Sequence, residues 1–206
     1  MNLKPATKWP KIRGEVISFY LTLPSFAKSP VKYLKSIPDI EWASAFFVHG
    51  SLAMVAGILA GILEKNFLNI IFGMIVLPVS ATIFCIALTA FFYYTLIIFC
   101  HIRLEPRKVY IVVFLSSIPF LFLHPLSGIV PLTNLVGMSM ASLLLIVGLV
   151  ETFELSLSQA TKMVGIVYFT FVAMWIFQKI SAEGRVDETL LQRKSLESLA
   201  IEIKNQ

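Results

Sequence analysis

The chain has 206 residues, of which 57% are hydrophobic and 14% charged, and its formal net charge is +5. A charged side chain near a bilayer centre costs roughly 2.5 kcal/mol or more, and here the charges are swept out of long apolar runs between residues 42 and 180. That pattern excludes a soluble globular core and predicts an all-α membrane protein, a bundle of five transmembrane helices preceded by interfacial helices. No nucleic-acid partner and no cofactor are expected.

Residues 1–41 form a basic arm. Pro5, Pro10, Pro24, Pro30 and Pro38 punctuate it into short helices, because proline starts or stops a helix. Lys4, Lys8, Lys11, Arg13, Lys28, Lys32 and Lys35 outnumber Glu15, Asp39 and Glu41. Such an arm suits an anionic lipid leaflet, worth about 1 kcal/mol per basic residue near the surface, or it sets topology and solubility. Val31, Tyr33, Leu34 and Ile37, with Lys32 and Lys35, resemble an interfacial helix, and the arm is expected to lie on the bilayer. A cytosolic helix packed on the protein's own loops is the alternative. A cleavable secretory signal is not expected, since no apolar run precedes a small-residue cleavage site.

Span one runs from about Trp42 to Leu63, about 33 Å at the helical rise. Gly50, Ala53, Ala56, Gly57, Ala60 and Gly61 give it a small-residue face that lets a neighbouring helix approach closely within the monomer or in a homo-oligomer. The next apolar run, Phe67 to Ile102, would be about 54 Å long as one straight helix, more than a bilayer needs. A break at Pro78 is therefore expected, with residues 67–77 interfacial or partly inserted and span two beginning at Pro78. Cys85 and Cys100 lie on that one rod about 22 Å apart, too far for a disulfide. Span three, Val109 to Leu123, carries Ser116, Ser117 and Pro119. Span four, about Leu132 to Val150, follows a proline and glycine turn. Ser156-Leu157-Ser158-Gln159 has the pattern of a capping box and starts span five, which continues to about Ile180. Residues 181–206 are expected to form an amphipathic tail.

Orientation follows from Lys and Arg counts. With the arm inside, eleven of the 17 lie on that side, including Arg103, Arg107, Lys108 and Lys162, and six lie outside. The positive-inside rule then puts the amino terminus in the cytoplasm and the carboxyl terminus outside.

Catalytic signatures are scarce. No H-E-x-x-H, G-x-S-x-G, Walker loop or metal-spaced Cys/His cluster occurs, and each would be needed by a corresponding chemistry. His49, His101 and His124 fall in separate segments. His49, Ser80, Thr82, Ser116 and Ser117 are the candidates for an intramembrane polar site. A water-filled path for a small solute would be lined by Ser80, Thr82, Ser116, Ser117, Thr133 and Asn134. An enzyme acting on lipid would need His49 or His101 beside a nucleophile or acid from another helix. Arg103, Glu105, Arg107 and Lys108 from one inside loop, with Glu151 and Glu154 from the next, could pair and offer a docking surface for a protein partner; solvated loop charges that only fix topology are the alternative.

Three stretches carry a family resemblance: P-S-F-A-K-S-P with span one, S-S-I-P at Ser116 to Pro119, and G-L-V-E-T-F-E-L-S-L-S-Q-A from Gly148 to Ala160. Over residues 24 to 180 the chain resembles the YIP domain family, polytopic proteins that interact with Ypt/Rab GTPases. The chain lacks the family's eukaryotic D-L-Y-G-P motif and carries R-L-E-P-R-K where a glycine-rich link is common, so it looks more like a bacterial member. The resemblance implies a five-span fold in a bacterial cytoplasmic membrane and a non-enzymatic scaffold or trafficking-like adaptor.

Overall fold

The computed structural model describes residues 9–204 apart from positions 103 and 131, with side chains described up to residue 181 except at position 179. Every regular element among the described residues is helical: α1 Trp9–Lys28, α2 Pro30–Lys35, α3 Trp42–Leu63, α4 Phe67–Cys100, α5 Pro106–Leu123, a 3₁₀ turn His124–Gly128, α6 Thr133–Phe153 and α7 Leu157–Lys204. Five segments, beginning at Trp42, Phe67, Pro106, Thr133 and Leu157, are long and apolar enough to cross a bilayer. The protein is therefore an all-α, multi-pass integral membrane protein.

Two compact units divide the chain, Met1–Gly165 and Ile166–Gln206. The second unit is the continuation of α7, helical to Lys204, where a span ending near Ile180 was expected. The amphipathic face expected for residues 182–206 lies outside the described side chains. The start of α7 has the expected cap. Ser156 accepts from the Gln159 backbone N–H at 3.3 Å, and the Gln159 side chain accepts from the Ser156 N–H at 3.4 Å, satisfying two donors that a helix start leaves open.

In the first unit α3 and α4 form an antiparallel hairpin. Glu64 to Asn66 make the turn, and Asn66 caps α4 by accepting from Leu68 N–H at 3.0 Å. Gly57 lies against Gly73, and a Cβ on Gly61 would sit 2.5 Å from the Ile70 nitrogen. The small-residue face of α3 is thus used inside the monomer, except at Gly50, where a Cβ would meet nothing within 4 Å.

This pairing corrects the expected break at Pro78. Helix α4 is unbroken from Phe67 to Cys100 with Pro78 inside it, and residues 70–73 pack along α3 rather than lying flat. Proline removes one hydrogen bond of a helix, while the glycine contacts before it fix the amino-terminal part of α4 onto α3. Cys85 and Cys100 are free thiols on this one helix.

Helix α5 is the axis of the unit: every residue from Val109 to Ser116 is buried. It runs parallel to α3, with Tyr110 against Trp42 and Phe46 and Phe114 against His49. It runs antiparallel to α6, where Gly148 faces Val112 and Gly137 faces Phe120.

The arm folds onto this framework. Phe19 stacks on Phe114 with ring centroids 5.7 Å apart, and Tyr20 hydrogen-bonds Ser51 in the middle of α3. After Pro30 the chain turns back, Tyr33 hydrogen-bonding Thr22 at 2.9 Å. Leu34 is fully buried, and its carbonyl accepts from Thr152 Oγ1 at 2.8 Å. Helices α1 and α2 therefore form a helical hairpin against α3, α5 and α6, a packing partner different from the protein's own loops.

Candidate functional site

Polar groups concentrate at two levels: a buried cluster between α3, α4 and α5, and a charged rim where the arm meets the first turn of α5 and the last of α6. The buried cluster centres on Tyr110. Its hydroxyl lies 2.8 Å from His49 Nδ1, and the Cys85 thiol is its other near polar neighbour. His49, Tyr110 and Cys85 are 1%, 0% and 3% exposed, so no substrate reaches them in this arrangement. Trp42, Phe46 and Phe114 close the cluster with aromatic contacts.

Only His49 of this cluster stood out in the sequence. Tyr110 and Cys85 are apolar-looking members of apolar runs, and their meeting depends on the relative rotation of α4 and α5, which sequence spacing does not encode. The other candidate polar residues are not brought together. Ser80 is exposed and donates to Leu77 O at 3.2 Å, and Ser117 donates to Phe114 O at 2.7 Å. Thr82 is half-buried on α4. Ser116 is buried, with its Oγ meeting no hydrogen-bond partner among the described residues, and Asn134 Oδ1 and His124 Nδ1 are buried in the same condition. Thr133 donates to Val130 O at 2.7 Å. His101 is exposed in a left-handed backbone conformation, φ 55°.

At the rim the charges at the start of α5 and the end of α6 reach the arm, and the two groups do not pair across the rim. Arg107 donates to Asp39 at 2.5 Å and lies 3.5 Å from Glu105. Glu151 lies 3.5 Å from Lys35. The expected pairing of Arg107 with Glu151 or Glu154 is replaced because Asp39, after α2, takes Arg107 and Lys35, at the end of α2, takes Glu151. Lys108 and Glu154 remain exposed, and Arg103 lies outside the described residues.

A third set of contacts secures the start of the arm. Glu15 accepts from Ser44 Oγ at 2.5 Å and from the Glu41 backbone N–H at 3.0 Å. Lys11 donates to Glu41 at 2.5 Å and lies 3.8 Å from Glu15. The hydrogen bond and charge of Glu41 hold the Lys11 ammonium above its ordinary 10.5.

Two sizeable grooves accompany these groups. One, of about 560 Å³, is bordered by Leu23, Phe26, Pro30, Ile118, Phe122 and Leu143. The other, of about 670 Å³, lies between α1 and α3. No three His, Cys, Asp or Glu side chains converge as a metal site among the described residues.

The chain matches no family model, no curated protein and no solved structure.

Proposed function

We propose that the chain is a non-enzymatic membrane adaptor of the YIP type, set in a bacterial cytoplasmic membrane with its arm inside and its carboxyl end outside. The rim of α5 and α6 presents a soluble partner with exposed charge. The observation that carries this reading is the division of labour at the rim: Arg107 and Glu151 are used to hold the arm, while Glu105, Lys108 and Glu154 on the same end of the antiparallel α5 and α6 point outward. Protein partners are recognised by exposed charge patterns that steer encounter and set register.

Other features favour an adaptor over the alternatives. Solute paths are lined by a continuous row of polar groups free to replace hydration, whereas the hydroxyls of Ser80 and Ser117 bond their own helix and the unbonded atoms of Ser116 and Asn134 are buried on two different helices. Lipid chemistry at His49 would need an approach for substrate, and His49, Tyr110 and Cys85 are enclosed.

Photo-crosslinkers at Lys108 and Glu154 in intact cells test the proposal. One discrete adduct with a soluble protein, lost when Glu105→Lys and Lys108→Glu are combined, is the expected result. Adducts of twice the chain mass alone would indicate self-association instead, and solute flux through liposomes containing the purified chain would replace the adaptor with a transporter.

A further inference from the structure

We infer that the groove between the start of α1 and α3 is a binding site for one anionic phospholipid. The groove, about 670 Å³, is bordered by Trp9, Arg13, Gly14, Ile17 and Phe47. Its walls are strongly apolar at one end: Ile17 is 48% exposed and Phe47 56%. At the other end stand an exposed guanidinium and an indole. Residues two apart on a helix project to opposite sides, so Lys11 and Arg13 have different fates. Lys11 is neutralised by Glu41 and Glu15. Arg13 has no ion-pair partner among the described residues, and its charge faces the groove.

An occupant must therefore supply an anion to Arg13 and hydrocarbon to Ile17 and Phe47 within one molecule. A guanidinium binds phosphate with two parallel hydrogen bonds, and indole favours the boundary between headgroup and chain. An anionic phospholipid meets both demands. Gly14 leaves the room for it, because a Cβ built there meets nothing within 4 Å. The inference rests on the chain being embedded in a membrane and is independent of the adaptor reading.

The test uses the full-length chain with Trp42→Phe and Trp175→Phe, so that only Trp9 fluoresces, in phosphatidylcholine nanodiscs. Brominated phosphatidylglycerol and brominated phosphatidylcholine are compared as quenchers. Phosphatidylglycerol is expected to quench at about fivefold lower mole fraction, the factor contributed by one basic residue at an anionic surface. Arg13→Gln should bring the two lipids to parity. Gly14→Phe, which fills the groove without changing charge, should also abolish the preference, and inorganic phosphate should not compete. Equal quenching by the two lipids overturns the site. A preference that survives Gly14→Phe reduces the effect to diffuse attraction by the basic arm, and competition by inorganic phosphate reduces it to a simple anion site. None of these readouts involves the crosslinks from Lys108 and Glu154, so the two proposals fail separately.

Discussion

Tyr110 lies where three helices meet, its hydroxyl paired with His49 and close to Cys85. Removing one partner of a buried pair strands the other, at a cost of about 1–3 kcal/mol, although hydrogen bonds between membrane helices average nearer 0.6 kcal/mol. Tyr110→Phe should therefore destabilise the bundle by about 1 kcal/mol. His49→Phe with Tyr110→Phe should cost less than the sum of the single changes, as read from unfolding in mixed micelles. Strict additivity would mean that the pair is not coupled. His49 was legible in the sequence as a lone polar residue in an apolar span. Tyr110, Cys85 and the Asp39 partner of Arg107 were not, because each contact joins segments far apart in the chain and depends on how helices rotate and where the arm docks.

Among the helices, the hairpin of α3 and α4 depends on backbone approach at Gly57, Gly61 and Gly73. A methyl group at Gly57 would fall onto the Gly73 carbonyl, and backbone cannot move aside as a flexible side chain can. Gly57→Ala is expected to cost about 1–3 kcal/mol, the usual penalty of overpacking. Gly50→Ala, with open space around it, should be neutral or stabilising by about 0.5–1 kcal/mol from helix propensity. Ellipticity during denaturation in sodium dodecyl sulfate separates the two; similar losses would show that the close approach at Gly57 carries no special weight. The boundaries of α3 and the cap of α7 were readable from apolar runs and polar punctuation, whereas α5 starts three residues before the expected Val109 and α6 ends three residues after the expected Val150, because polar residues at helix ends interrupt the apolar run before the helix itself stops. Pro78 misled because proline signals a break on its own helix, whereas the continuity of α4 is supplied by glycine contacts with α3.

For the molecule as a whole, the question is what fastens the arm. Its ion pairs are exposed and worth about 0–1 kcal/mol each, while Phe19, Phe26 and Leu34 are buried against α2, α5 and α6. Leu34→Ala should loosen the arm by about 2 kcal/mol or more, and Lys35→Gln by less than about 1 kcal/mol. Hydrogen exchange of residues 9–35 measures the difference, and equal effects would make charge the main fastening. The Lys11 contact adds a direction in pH. A cation whose folded pKa is raised contributes stability that is complete below its unfolded value and lost as pH climbs through the folded one. Protection of the Glu41 and Ser44 amides, taken relative to the base-catalysed exchange of an unstructured chain at the same pH, should therefore hold constant from neutrality to the ordinary 10.5 of lysine and fall above it; a fall in protection near pH 8 would contradict this.

The uninterrupted 34 residues of α4 measure about 51 Å at the helical rise, against a hydrocarbon slab of about 30 Å. Such excess is absorbed by leaning the rod or by stretching the surrounding lipid, each at fractions of a kcal/mol per Å of mismatch. Its hairpin with α3 restricts how far α4 can lean by itself, so part of that load falls on the lipid. In a membrane of uneven thickness the protein would then gather where the acyl chains are longest, a sorting force set by the length of a single helix.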